Sequence, residues 1–226
     1  MDNKLPLSGP SFEPSKYPKK LVFLLHGYGD NADNFINIAS ELHNKDLDIN
    51  FFVPNAPSNV PQYPECRQWF DLYPNGISFD KAGPDEIRIL EEDCLSSANL
   101  IKNYILNICN KYKLSLSDVF IIGFSQGAMM TFEVGKLIDN KLAGAILLSG
   151  RILPSKNYKK ELFAKTPLFI SHGDQDLVLQ PKYFVEACKI LEKEGYSYES
   201  HLLSNEGHNI SIKAIHLVKN FIKKNV

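Results

Sequence analysis

The chain has 226 residues, with 25 Lys and Arg against 26 Asp and Glu for a formal net charge of −1 at pH 7. That balance removes the electrostatic case for binding nucleic acid or an anionic membrane surface. At 44% hydrophobic and 23% charged residues the composition excludes a disordered or fibrous chain, and the length suits one α/β domain over residues 1–226 whose core needs no disulfide or structural metal.

In chain order, Asp2, Lys4, Pro6, Pro10, Glu13 and Pro14 break up the apolar run that a secretory signal requires. Residues 20–25 predict a buried strand, 31–45 a helix and 49–53 a second strand. The segment 54–83 carries Pro54, Pro57, Pro61, Pro64 and Pro74 and predicts a long irregular loop, of a kind that is usually functional or mobile. A helix over 84–113 is marked at its start by Pro84, Asp85 and Glu86, since proline suits the first helical position and acids suit the positive end of the helix dipole. A strand at 119–124, a helix at 126–138 and strands at 143–148 and 167–171 follow. A helix is then predicted at 181–194, an alternating edge strand at 196–203 and a last helix at 210–224. In that helix Ile210, Ala214, Ile215, Val218, Phe221 and Ile222 fall on one stripe at 100° per residue. Alternating strands and helices imply a parallel sheet with helices on both faces, and binding residues on the loops after the C-terminal strand ends.

No apolar stretch approaches the roughly 18 to 20 residues of a membrane-spanning helix. Cys66, Cys94, Cys109 and Cys188 are far apart and form no C-x-x-C pair, so they predict reduced packing residues rather than a zinc site or redox dithiol. A cytoplasmic location is expected.

The chemistry is carried by Gly123-Phe124-Ser125-Gln126-Gly127, set between a predicted strand and a predicted helix. Glycines on both sides let the chain reverse tightly and hold the serine in a strained conformation at the top of the sheet. A serine hydroxyl needs a base at neutral pH. Of the six histidines, His43 and His216 fall in predicted helices and His201 lies mid-strand beside Glu199. His26 and His172 end strands before a glycine and read as structural hydrogen-bonding residues. His208, in the loop between the last strand and the last helix, is delivered to the same sheet edge as Ser125. The acid that orients it belongs to the loop after 167–171, where Asp174 and Asp176 both qualify. Asp176 is favoured because it lies further into the loop, while Asp174 beside Gly173 suits a turn. The order Ser125, Asp176, His208 is that of the α/β-hydrolases. Donors for a developing oxyanion are expected from the backbone N–H of Gln126 and, in His26-Gly27-Tyr28-Gly29-Asp30, from that of Tyr28.

At these residues the sequence resembles the acyl-protein thioesterase and carboxylesterase family of lysophospholipase-like α/β-hydrolases. The resemblance extends to Asn55-Ala56-Pro57, Trp69-Phe70-Asp71, Lys141-Leu142-Ala143-Gly144 and Gly173-Asp174-Gln175-Asp176. It implies an α/β-hydrolase fold and hydrolysis of acyl esters or thioesters of small molecules, lysolipids or acylated proteins, with no cofactor. Ser125 is then the nucleophile, Asp176 the acid, His208 the base and Tyr28 and Gln126 the oxyanion donors, with Trp69 bordering the acyl channel or, as an equal alternative, packing under the long loop. Two departures bear on substrate choice: Arg151 stands where family members often carry Trp, and Leu177 replaces the usual proline after Asp176. Arg151 is expected to pair with a surface acid or, as the alternative, to meet an anionic substrate group. A peptidase or other small-molecule hydrolase on this fold is the alternative enzyme, and a non-catalytic binding protein the alternative class.

Overall fold

The computed structural model describes residues 7–61, 63–154 and 160–226, and for Asp80 the backbone alone. Asp2, Lys4 and Pro6, on which part of the expectation for the first residues rests, lie outside that set. Nine strands are found among these residues: β1 (Ser11–Phe12), β2 (Lys20–Leu25), β3 (Ile49–Phe52), β4 (Ser58–Val60), β5 (Tyr63–Gln68), β6 (Val119–Phe124), β7 (Gly144–Leu148), β8 (Leu168–Gly173) and β9 (Tyr198–Leu203). The helices are α1 (Ala32–Phe35), α2 (Asn37–Leu42), α3 (Pro84–Tyr112), α4 (Gln126–Ile138), α5 (Lys182–Lys193) and α6 (Ile212–Lys224). Among the described residues no helix is long and apolar enough to cross a membrane.

The main sheet runs β1-β3-β2-β6-β7-β8-β9. All neighbours are parallel except β1, which pairs antiparallel with β3. Helices cover both faces, and the alternation of side chains along β2 shows how. Leu21, Phe23 and Leu25 pack toward α3, α4 and α5, whereas Val22 and Leu24 pack toward α1, α2 and α6. A strand buried on both faces reads as a continuous apolar run, which is why β2, β6 and β7 stand out in the sequence. The order reverses between β2 and β6: the chain moves outward to β3 on one side and to β7, β8 and β9 on the other. Loops leaving these two neighbours in opposite directions open a crevice at their C-terminal ends.

Several boundaries differ from expectation for local reasons. The helix predicted over 31–45 divides into α1 and α2. The Asn37 side chain donates to the Asn34 carbonyl at 3.0 Å, and the Ser40 hydroxyl donates to the Asn37 carbonyl at 2.8 Å. Such bonds compete with the helix ladder for the same carbonyls. His43 follows α2 in an extended conformation, with its ring edge-on to Phe12. The last helix starts later than predicted because Ser211 caps it, accepting the Ala214 N–H at 3.2 Å, so Ile210 packs from the preceding loop. The stretch 54–83 is not featureless: β4 and β5 pair antiparallel within it. Neither these strands nor β1 announces itself, since β1 and β4 are only two and three residues long and β5 includes Pro64 and has no continuous apolar run.

Candidate active site

The crevice between the ends of β2 and β6 holds Ser125. Its backbone sits at φ 54° and ψ −115°, a strained conformation for a residue with a side chain. Two glycines permit the turn. A Cβ on Gly123 would lie 2.1 Å from the Gly127 carbonyl oxygen, and one on Gly127 would lie 2.0 Å from that of Leu25. The Ser125 N–H is anchored to the Leu148 carbonyl at 2.9 Å, so β7 fixes the elbow from the side while α4 begins at Gln126.

Two distant loops converge on this serine. The segment after β8 and the segment after β9 are stitched together: Asp174 N–H donates to Leu203 O at 3.0 Å, Gln175 N–H to Glu206 O at 2.9 Å, and Asn205 N–H to Asp174 Oδ1 at 2.8 Å. Their approach is so close that a Cβ on Gly173 would lie 2.2 Å from the Glu206 carbonyl oxygen. This packing brings His208 Nε2 to 2.9 Å from Ser125 Oγ and His208 Nδ1 to 2.7 Å from Asp176 Oδ2. Asp176 is 1% exposed. Its Oδ1 accepts the N–H groups of Val178 at 2.9 Å and Leu179 at 2.8 Å, which holds the carboxylate in place. The Phe124 ring lies 4.9 Å from the imidazole. Of the two candidate acids, Asp176 therefore meets the histidine, and Asp174 ties one loop to the other. His26, His43, His201 and His216 stand elsewhere, with His201 against Glu199 at 2.8 Å and His216 exposed.

The loop after β2 forms the opposite wall. Gly29 N–H donates to Arg67 O and Arg67 N–H to Asp30 O, both at 2.9 Å, so β5 holds this loop by its backbone. Among the described residues the N–H groups of Tyr28 and Gln126 meet no backbone acceptor. Behind the loop His26 is buried, with Nδ1 2.8 Å from Gly27 O and Nε2 accepting the Ala56 N–H at 3.1 Å. Burial pushes its pKa down, which agrees with a neutral ring whose Nδ1 carries the proton.

Trp69 lies deeper than expected from the resemblance. It is 1% exposed, and its ring N–H donates to the His26 carbonyl at 2.9 Å. It supports the loop after β2 from below, while Leu72, Tyr73 and Phe79 from the following segment line the cavity of about 310 Å³ beside Ser125. The Gln126 side chain explains this placement and gave no signal in the sequence. It accepts the Trp69 N–H at 2.9 Å and donates to the Phe70 carbonyl at 2.7 Å, and Ser97 Oγ donates to the Trp69 carbonyl. Arg151 is half-buried on the cavity wall rather than out on the surface. Its guanidinium carbon lies 4.5 Å from the Phe79 ring centroid and 4.2 Å from that of Tyr183, two cation–π contacts that help hold the group in place. Leu177 is 93% exposed beside the mouth. The four cysteines are free thiols. Burial pushes Cys109 up to about 11 and also raises Cys94 and Cys188. Among the described residues no cluster of three or more His, Cys, Asp or Glu is arranged to hold a metal ion.

A doubly wound, mostly parallel sheet with a serine on a strained turn at its switch point defines an α/β-hydrolase. The solved structure of esterase PE8 superposes with a TM-score of 0.84 at 26% identity, covering 97% of this chain and 99% of its own. The chain belongs to the phospholipase/carboxylesterase family, whose sequence pattern matches residues 12–226. Similar proteins include acyl-protein thioesterase 1 of Candida albicans, 27% identical over 91% of both chains. Carboxylesterase SOBER1 of Arabidopsis thaliana is 26% identical over 91% of this chain and 90% of its own.

Proposed function

We propose that this protein is a serine hydrolase that cleaves carboxylic ester or thioester bonds of acyl substrates through Ser125, His208 and Asp176. The observation that carries the reading is the continuous path from Ser125 Oγ to His208 Nε2 at 2.9 Å and from His208 Nδ1 to Asp176 Oδ2 at 2.7 Å. Ser125 Oγ attacks the acyl carbonyl carbon as its proton passes to His208 Nε2. Asp176 keeps the imidazole in the Nδ1–H form and stabilises the imidazolium. The oxyanion turns toward the N–H groups of Tyr28 and Gln126. The C–O or C–S bond then breaks, and the leaving alkoxide or thiolate takes the proton from His208. Water adds to the acyl-enzyme, giving a proton back to His208, and the carboxylic acid departs as Ser125 is regenerated.

An acyl chain suits the apolar part of the cavity wall, which includes Leu72, Phe79, Phe124, Met129 and Leu179. The names of the relatives, acyl-protein thioesterase and carboxylesterase, support acyl substrates. A cytoplasmic location belongs to the same proposal. A kcat/KM series on p-nitrophenyl esters of increasing chain length, beside an acyl thioester, tests it. Each buried methylene contributes up to about 0.8 kcal/mol, so kcat/KM is expected to rise by as much as about fourfold per CH₂ until the cavity is filled. No turnover of any ester or thioester would reject the reading, and a profile that falls from acetyl onward would reject the acyl-chain assignment.

A further inference from the structure

His172 lies near the end of β8, and its side chain is wholly buried. Its Nε2 stands 2.7 Å from the Leu179 carbonyl oxygen and 3.2 Å from Asp176 Oδ2. Both neighbours can only accept, so Nε2 carries a proton. The other ring nitrogen, Nδ1, is buried and has no hydrogen-bond partner among the described residues. Protonating it would bury an unpaired donor and a positive charge together, a costly combination. The site therefore holds the ring neutral, with its proton on Nε2. Burial shifts the pKa down, in the same direction. The titratable groups facing the ring are Asp176 on the loop after β8 and His208 on the loop after β9, and α5 presents the Phe184 ring at 6.2 Å.

We propose that His172 is a positioning residue for the triad: a neutral ring whose N–H, donated to the Leu179 carbonyl, holds the backbone that in turn donates to Asp176, while the ring packs against the carboxylate without drawing off its charge. The inference rests on Asp176 being the triad acid. Asp176 Oδ1 takes two backbone N–H groups, and Oδ2 faces His208 and His172 together. Leu179 closes the arrangement, since its N–H donates to Asp176 while its carbonyl accepts from His172. Rotation of the carboxylate away from His208 is opposed from both sides. A cation in place of His172 would compete with the imidazolium for the same oxygen, whereas a neutral ring anchored on the Leu179 carbonyl supports the loop and leaves the full charge available to His208.

The test compares pH profiles of kcat/KM for an ester substrate in wild type, His172→Phe, His172→Gln and Asp176→Asn. Phe keeps the ring shape without an N–H, and Gln returns an N–H at similar reach. His172→Phe is expected to lower kcat/KM by about tenfold or more, because small misplacements of reacting groups cost up to about 10²-fold. It is also expected to move the acidic limb to lower pH, since a poorly held carboxylate stabilises the imidazolium less. Gln is expected to recover most of both effects. A His172→Phe variant with the wild-type profile, or Phe and Gln variants equally impaired with an unmoved limb, would overturn the proposal. NMR of the wild-type histidine rings gives a second test that needs no variant. The His172 ring is expected to keep its neutral Nε2–H signature as the pH falls through the ordinary imidazole value of 6.5, and a His172 that takes up a proton at or above that value contradicts the inference. An active Asp176→Asn would instead remove the triad assignment itself, whereas an inactive Asp176→Asn beside a silent His172→Phe would remove only the role of His172.

Discussion

Ser125, Asp176 and His208 meet through side-chain atoms, whereas the proposed oxyanion donors, Tyr28 on the loop after β2 and Gln126 at the start of α4, are backbone N–H groups. The first half is assembled by two loops stitched to one another after β8 and β9. The second is assembled from beneath, where the Gln126 and Trp69 side chains hold the Trp69–Phe70 segment against the loop after β2. Groups that transfer protons must be particular residue types, so they leave a signature in sequence. Backbone donors can be offered by any residue, and what matters is the buried polar framework that aims them.

Substitutions at the two loop acids sharpen the contrast most. Asp176→Asn is expected to reduce kcat by about 10⁴-fold, as loss of the correct imidazole tautomer does in a serine triad. Asp174→Asn, which affects the acceptor of the Asn205 N–H, should change kcat by only a few-fold. Equal effects in an ester assay would show that the triad half depends on loop packing rather than on the chemistry of one carboxylate.

On the backbone-donor half the effect is expected first in stability. Gln126→Leu keeps the residue's own N–H but strands the buried Trp69 N–H and Phe70 carbonyl. Each unpaired group costs about 1–3 kcal/mol, so the two together are expected to lower unfolding free energy by about 2–6 kcal/mol. A urea melt with an unchanged midpoint would show that this framework does not hold the loop.

The smallest effect concerns pH. His26 and His172 sit behind opposite halves, and burial lowers both pKa values from the ordinary 6.5. When the folded value lies below the unfolded one, the unfolded chain takes up the proton first as pH falls. The stability these groups supply is therefore complete above about pH 6.5 and is lost progressively toward the depressed folded values. Glu133, raised by burial, acts in the opposite direction, so the informative quantity is a difference. The fall in Tm from about pH 7 to about pH 5 is expected to be smaller in His26→Gln than in wild type. An equal or larger fall would contradict a neutral buried His26.

Legibility in the sequence followed the same division. β2 and β6 coincide with their apolar runs, α4 begins and ends where its pattern does, and the Ser125, Asp176, His208 order pointed to three loops that the fold brings to one place. Continuous apolar runs and reactive residue types are local signals. The contribution of Gln126 depends on a contact with Trp69 and Phe70 that lie far from it in sequence, and nothing near Gln126 encodes it. Trp69 was legible as either a channel wall or a packing residue, and only the fold decides for packing, because a tryptophan in a proline-rich segment looks the same whether it walls a cavity or supports one. His172 and His26 both end strands before a glycine and read alike. Only the fold shows that His26 has partners for both nitrogens while His172 has one, the Leu179 carbonyl, with its ring beside the acid.

The most direct measurement is covalent labelling with a fluorophosphonate followed by peptide mass spectrometry. The account predicts one adduct per chain, on the peptide containing Ser125, and none in Ser125→Ala. An adduct on another residue, or equal labelling of the two proteins, would contradict it.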